Sequence, residues 1–122
     1  MWGMDIASKL QIKPGQSVAL VSAPGPLDLG LPEGCETTDD PEGADVVLAF
    51  AGRRADLDGA ASAAVAAARR DKTAWIGYPK GGGLGTDLNR DILAKELRDR
   101  GVRPVRQISI DDVWSALRFR PA

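Results

Sequence analysis

The sequence contains no histidine and only one cysteine among its 122 residues. Histidine is the usual general base near neutral pH, a common zinc ligand, and the usual partner of a serine or cysteine nucleophile. The lone Cys35 excludes an internal disulfide and every metal site built from several cysteines, and it favours a reducing compartment. These absences argue against an enzyme, and we predict no catalytic residue and no metal site.

Long apolar runs and an excess of charge of one sign are also missing. No segment approaches the roughly 20 apolar residues needed to cross a bilayer, and the first residues have neither the basic nor the apolar part of a signal peptide. Sixteen basic residues oppose seventeen acidic ones, so no global field attracts nucleic acid or a membrane surface. We expect a cytoplasmic protein without a membrane partner, and the charge balance argues against nucleic acid.

Short apolar runs alternate with stretches of helical periodicity, which is typical of one α/β domain spanning residues 1–122. The runs predict strands over residues 17–22, 35–38, 45–51, 73–78 and 104–110. The periodic stretches predict helices over about residues 2–10, 56–71 and 86–100. Asp56 is the predicted cap of the second helix, Thr86 or Asp87 that of the third, and Gly101 the left-handed residue that ends it.

This alternation of strands and helices predicts parallel βαβ units with right-handed crossovers. The fold class is therefore an open, mostly parallel, Rossmann-like sheet with helices on both faces. At the C-terminus, Val113 to Phe119 is predicted to pair with the preceding strand as an antiparallel edge hairpin. A short helix over residues 112–117 is the alternative.

The predicted order of elements is similar to a shortened form of the sheet of class I S-adenosylmethionine-dependent methyltransferases. This resemblance implies a Rossmann-like fold and keeps a degenerate methyltransferase-like enzyme as one functional alternative. Those enzymes are similar in placing a glycine-rich turn after the first strand, where the backbone passes close to the cofactor. Here the strand continues into Ser-Ala-Pro-Gly-Pro at residues 22–26, so we predict no cofactor.

A second resemblance is carried by four segments spread over most of the chain. They are Ile12–Gly15, Ala44–Val47, Tyr78–Lys80 and Asp112–Arg118. Together they resemble a family of small bacterial proteins that is frequent in actinobacteria. This resemblance implies a fold and a bacterial lineage, and it lends no activity.

The best candidate for a binding site is the segment YPKGGGLGTD at residues 78–87, between a predicted strand and a predicted helix. Ligands of open α/β sheets collect at the carboxyl ends of the strands, and a helix N-terminus attracts anions. Gly81, Gly82 and Gly83 allow backbone amides to turn toward an anion, while Lys80 supplies a charge and Thr86 a hydroxyl. The segment lacks the residue order of a P-loop.

Arg53 and Arg54 follow the preceding predicted strand, so we expect them beside the Lys80 segment, where the two loops share one positive rim. The alternative interpretation is that both arginines are simply solvated and the glycines only reverse the chain. In that case Thr86 caps a helix, and the carboxylate of Asp87 takes the place of the anion.

A second basic set lies on the two terminal strands. If Arg118 and Arg120 share one strand, they point the same way and, with Arg103 and Arg106, form a patch for an acidic partner or nucleic acid. Protection of a sheet edge against unwanted pairing is the favoured alternative.

The function that these observations favour is a non-catalytic binding or regulatory module for a small anion, either a nucleotide or a phosphate. The first alternative is a protein interaction domain without a ligand, including a homodimer formed through the terminal hairpin. The second alternative is the methyltransferase-like enzyme. A fold of this type hosts many unrelated activities and does not choose among them.

Overall fold

The computed structural model describes residues 6–23, 30–59 and 61–122. Trp2 of the predicted first helix and residues 24–26 of the predicted irregular turn lie outside this part of the chain. Within it, no helix is long and apolar enough to cross a membrane.

The described residues form six strands of one sheet. They are β1 (Ser17–Val21), β2 (Glu36–Thr38), β3 (Val46–Phe50), β4 (Thr73–Pro79), β5 (Val102–Ser109) and β6 (Trp114–Pro121). Each strand begins and ends within about two residues of its predicted counterpart. β3 and β4 are apolar runs that suit strands covered on both faces, whereas β2 and β5 are largely exposed.

The sheet has the order β2-β1-β3-β4-β6-β5. β2, β1, β3 and β4 are parallel, whereas β6 runs antiparallel to both β4 and β5. This confirms a mostly parallel α/β sheet with an antiparallel C-terminal pair. The alternative helix over residues 112–117 is wrong, because Trp114 begins β6. β6 lies inside the sheet, so β5 alone forms the edge on this side.

Helices cover both faces of the sheet, as predicted. They are α1 (Ile6–Lys9), α2 (Ser62–Arg69) and α3 (Arg90–Arg98), with 3₁₀ helices at Arg54–Asp56 and Lys80–Gly85. Side chains of α2 and α3 share one buried cluster with Ile76 and Phe119. Those of α1 share a second cluster with Trp75 and Trp114 on the opposite face. The two clusters are separated by the sheet.

Two predicted helix starts are wrong, and both errors have the same cause. Asp56 does not cap a helix, because its Oδ2 accepts a hydrogen bond from the backbone of Gly52 at 3.0 Å, and α2 starts only at Ser62. Asp87 likewise bonds to another segment. The cap of α3 is Asn89, whose Oδ1 accepts from the backbone N–H of Ile92 at 2.8 Å.

Candidate functional site

The carboxyl ends of the parallel strands β1, β3 and β4 lie at the same end of the sheet. The chain leaves β1 at Ser22 and passes to β2 on one side, whereas β3 lies on the other side of β1. Two clefts of about 430 and 370 Å³ open at these strand ends, and Gly52 and Asp56 line both of them. We call the two clefts together the strand-end crevice.

Each cleft has its own wall. Besides the two shared residues, the larger cleft is lined by Arg53, Gly85, Thr86 and Asp87. The smaller cleft is lined by Ser22, Phe50, Ala55, Gly59 and Trp114. The crevice therefore joins a charged half between the ends of β3 and β4 to a half with an aromatic wall beside β1.

The charged half holds two carboxylates that also brace the backbone. Asp56 accepts from the N–H of Gly52, and Asp87 Oδ1 accepts from the N–H of Arg54 at 2.8 Å. Each carboxylate uses one oxygen in these bonds, and among the described residues the other oxygen has no donor. The two free oxygens can accept hydrogen bonds from a ligand.

Arg53 supplies the positive charge of the crevice. Its side chain is exposed, and no described residue pairs with its guanidinium. Thr86 beside it accepts from the N–H of Leu88 at 3.0 Å, which leaves its hydroxyl proton free to donate. A guanidinium and a hydroxyl donor in one cleft suit an anionic group.

The aromatic half is built on a close contact between strands. Phe50 and Trp114 meet edge to face, with ring centroids 5.3 Å apart. Phe50 fits because Gly77 stands opposite it on β4, where an added Cβ would come within 2.7 Å of the Phe50 ring. The glycine thus makes room for the aromatic wall.

Ser22 has a backbone φ of 57°, in the left-handed region that favours glycine. It stands where β1 ends and lines the smaller cleft. Strained residues of this kind cluster at functional sites, although each one costs stability.

The Lys80 segment turns away from the crevice at its start. Lys80 Nζ donates to Ser109 Oγ at 2.5 Å, and the backbone N–H of Lys80 donates to Val113 at 2.8 Å. Gly81, Gly82 and Gly83 follow in the 3₁₀ helix. Among the described residues of the segment, Gly85, Thr86 and Asp87 line the crevice.

Arg54 also points elsewhere. Its Nη2 lies 2.7 Å from Glu96 Oε2, and this hydrogen bond lowers the pKa of Glu96 and raises that of Arg54. Of the predicted set, the structure therefore brings Arg53 and Thr86 together. It leaves Lys80 and Arg54 in separate ion pairs or hydrogen bonds.

Sequence reasoning missed the aromatic half of the crevice. Ser22 and Phe50 carry a usable signal, since each stands at the end of a predicted strand. Trp114 carries none, because its position depends on the pairing of β6 with β4. Among the described residues, no group of three or more cysteine, aspartate or glutamate side chains is placed to hold a metal ion.

A scan against models of protein families finds no match to this sequence, and a search of curated proteins finds none either. Any function assigned to the crevice is therefore argued from its geometry.

Proposed function

We propose that the protein is a non-catalytic binding module for a nucleotide-type ligand and that the strand-end crevice is its site. The observation that carries the proposal is the position of the smaller cleft, which is lined by Ser22 after β1 and Phe50 at the end of β3 and shares Gly52 and Asp56 with the larger cleft. β1 lies between β2 and β3, and all three strands are parallel. The chain therefore adds β2 on one side of β1 and β3 on the other side. In open α/β sheets, ligands bind outside the carboxyl ends of the strands at such a switch point.

The same strand order supports the finer part of the fold prediction. The parallel strands β2-β1-β3-β4 follow the flavodoxin-like order of doubly wound sheets, in which the ligand also lies between β1 and β3. We propose on this basis that the sheet is Rossmann-like. The cytoplasmic location expected from the sequence suits a nucleotide ligand.

The chemistry of the crevice suits the three parts of a nucleotide. Arg53 is placed to pair with a phosphate, since a guanidinium and a phosphate form two parallel hydrogen bonds. The free carboxylate oxygens of Asp56 and Asp87 accept from sugar hydroxyls or an amino group. Trp114, which is 8% exposed and packs edge to face on the buried Phe50, offers an apolar edge to a base. Both volumes lie within the range of about 300–1,000 Å³ that is usual for small-molecule sites.

An anion without hydroxyl or amino donors fits less well. Free phosphate gains Arg53 but brings no hydroxyl or amino donors to the carboxylates of Asp56 and Asp87 in the same half of the crevice, whereas a nucleotide brings both. We therefore favour a nucleotide over simple phosphate.

Thermal unfolding in the presence of AMP, ATP, S-adenosylmethionine, sugar phosphates and inorganic phosphate tests this function. A ligand that binds only the folded state stabilises it by about 2.7 kcal/mol at one hundred times its Kd. We expect a nucleotide to raise Tm. Since a charged hydrogen bond contributes about 1.5–3 kcal/mol, we expect Arg53→Ala to weaken binding at least roughly tenfold.

Arg54→Ala is the matched control, because it removes the same charge at the neighbouring position. The side chain of Arg54 is bonded to Glu96 and does not line the crevice. We expect it to change affinity by less than about twofold, and the same for Lys80→Ala. Loss of binding in Lys80→Ala with full binding in Arg53→Ala would move the site to the glycine segment. No stabilisation by any of the compounds would refute the proposal for these ligands.

A further inference from the structure

Four arginines share one face of the β5–β6 hairpin. Arg106 stands directly opposite Arg118, and Arg103 directly opposite Arg120. Opposite residues of an antiparallel pair point to the same side of the sheet. We call these four side chains the arginine face. Ala116, Arg118 and Arg120 are alternate residues of β6 and therefore point to the same side of the sheet. Ala116 packs in the cluster that contains α1, so the arginine face lies on the side of the sheet that α1 covers.

Like charges placed directly opposite each other destabilise a strand pair, and here there are two such pairs. Among the described residues, one carboxylate pairs with these arginines. Asp71 accepts hydrogen bonds from Nε and Nη2 of Arg120 at 3.1 and 3.2 Å. Arg118 Nη1 donates to Gln11 at 2.5 Å. Within the described chain, no partner is found for the buried Nε of Arg118 or for the guanidinium of Arg106.

Burial and the neighbouring arginines act together on Arg118. Desolvation is the first cause that lowers its pKa, and the positive charges of Arg120 and Arg106 lower it further, against the opposing effect of Asp71. The face thus holds more positive charge than its own surroundings neutralise.

Edge protection does not explain this arrangement. Charged side chains protect a sheet when they stand on its exposed edge strand. β5 is such a strand, but Arg118 stands on β6 and is paired with β4 on one side and β5 on the other. Edge protection therefore does not account for Arg118.

We propose that the arginine face binds an extended acidic segment of a partner protein. Arg103 and Arg106 are exposed on β5, and among the described residues neither is paired with a carboxylate. An extended segment that lies along β5 can present carboxylates to both of them. The planar guanidinium also matches a carboxylate with two parallel hydrogen bonds.

Nucleic acid fits the surface less well. The whole chain has a net charge of −1, so the balance outside these four arginines is −5. The chain therefore has no broad positive field for a long phosphate backbone, whereas a short acidic segment needs only the local charge of the face. The inference is independent of the strand-end crevice, which contains none of the four residues.

Fluorescence anisotropy with a labelled ten-residue peptide of alternating glutamate and threonine, at about 50 mM salt, tests the inference. The variant Arg103→Gln/Arg106→Gln changes two exposed side chains and leaves β6 intact. We expect it to weaken binding at least roughly tenfold. The control Arg70→Gln/Lys95→Gln removes the same charge from two exposed side chains that do not line the cleft shared by Arg106, Arg90 and Arg98, and we expect a change below about twofold.

Three results would overturn the inference. The first is no binding of the peptide to the wild-type protein, and the second is an equal loss in both double variants. The third is tighter binding of a ten-nucleotide oligothymidine than of the peptide, with the same dependence on Arg103 and Arg106. Circular dichroism of each variant confirms that the fold is retained.

Discussion

Asp87 accepts a hydrogen bond from the backbone N–H of Arg54, a residue 33 positions earlier in the chain, at 2.8 Å. The bond joins the segment that follows β4 to the segment that follows β3. These two segments form opposite walls of the larger cleft. A single carboxylate thus sets the width of the charged half of the strand-end crevice.

Replacement of Asp87 tests this role directly. Asp87→Ala leaves the N–H of Arg54 without its acceptor, and we expect the free energy of unfolding to fall by about 1 kcal/mol. Asp87→Asn keeps an oxygen in place, so we expect a smaller loss. Urea unfolding of both variants gives the comparison, and equal losses would show that the hydrogen bond does not brace the crevice.

Gly77→Ala probes the aromatic half. The added Cβ would lie 2.7 Å from Cδ2 of Phe50, so the ring has to move within a packed core. Overpacking of this kind costs about 1–3 kcal/mol. We expect a lower urea midpoint together with an altered near-UV signal from Trp114, which touches Phe50. A variant as stable as the wild type would mean that Phe50 moves freely and does not form a fixed wall.

Ser22→Gly addresses the strained end of β1. Glycine adopts a φ of 57° at no steric cost, whereas a residue with a Cβ is destabilised by roughly 1 kcal/mol in this conformation. We expect Ser22→Gly to raise Tm and Ser22→Ala to give no gain. If ligand affinity falls in the more stable glycine variant, the strain serves the site. A lower Tm in Ser22→Gly would contradict the left-handed conformation.

The dependence of stability on pH follows from two lowered pKa values. A hydrogen bond from Arg54 lowers the pKa of Glu96 below its ordinary 4.5, and one from Arg120 lowers that of Asp71 below its ordinary 3.8. A carboxyl with a lowered folded-state pKa stabilises the fold above its unfolded pKa. This contribution is lost as the pH falls through the folded value.

We therefore expect the urea midpoint to be level from neutral pH down to about pH 5 and to fall below it. Arg54→Gln and Arg120→Gln remove the two causes, so the fall below pH 5 should become shallower in each. An unchanged acid profile in both variants would show that these ion pairs do not contribute.

β3 and β4 were predictable because a strand buried on both faces needs an uninterrupted apolar run, and such runs are visible locally. The helix starts were not. Asp56 and Asp87 have the side chains of helix caps, but each bonds to a backbone N–H outside the expected helix. Asn89, the true cap of α3, has no stronger local signal than either of them.

The site was predictable in part for a similar reason. The rule that ligands collect at strand ends identifies Arg53 and Thr86 from the order of the elements alone. The direction of Lys80 and the position of Trp114 depend on β6 lying between β4 and β5. That insertion brings Ser109 and Val113 to Lys80, and no local pattern of residues encodes it.

Titration of ¹⁵N-labelled protein with AMP, followed by two-dimensional amide spectra, tests the crevice most directly. We predict saturable shifts of the amides of Gly52, Arg53, Gly59 and Thr86, and their loss in Arg53→Ala but not in Arg54→Ala. Shifts confined to Gly81–Gly83, or no shift at all, would contradict a nucleotide site in the strand-end crevice.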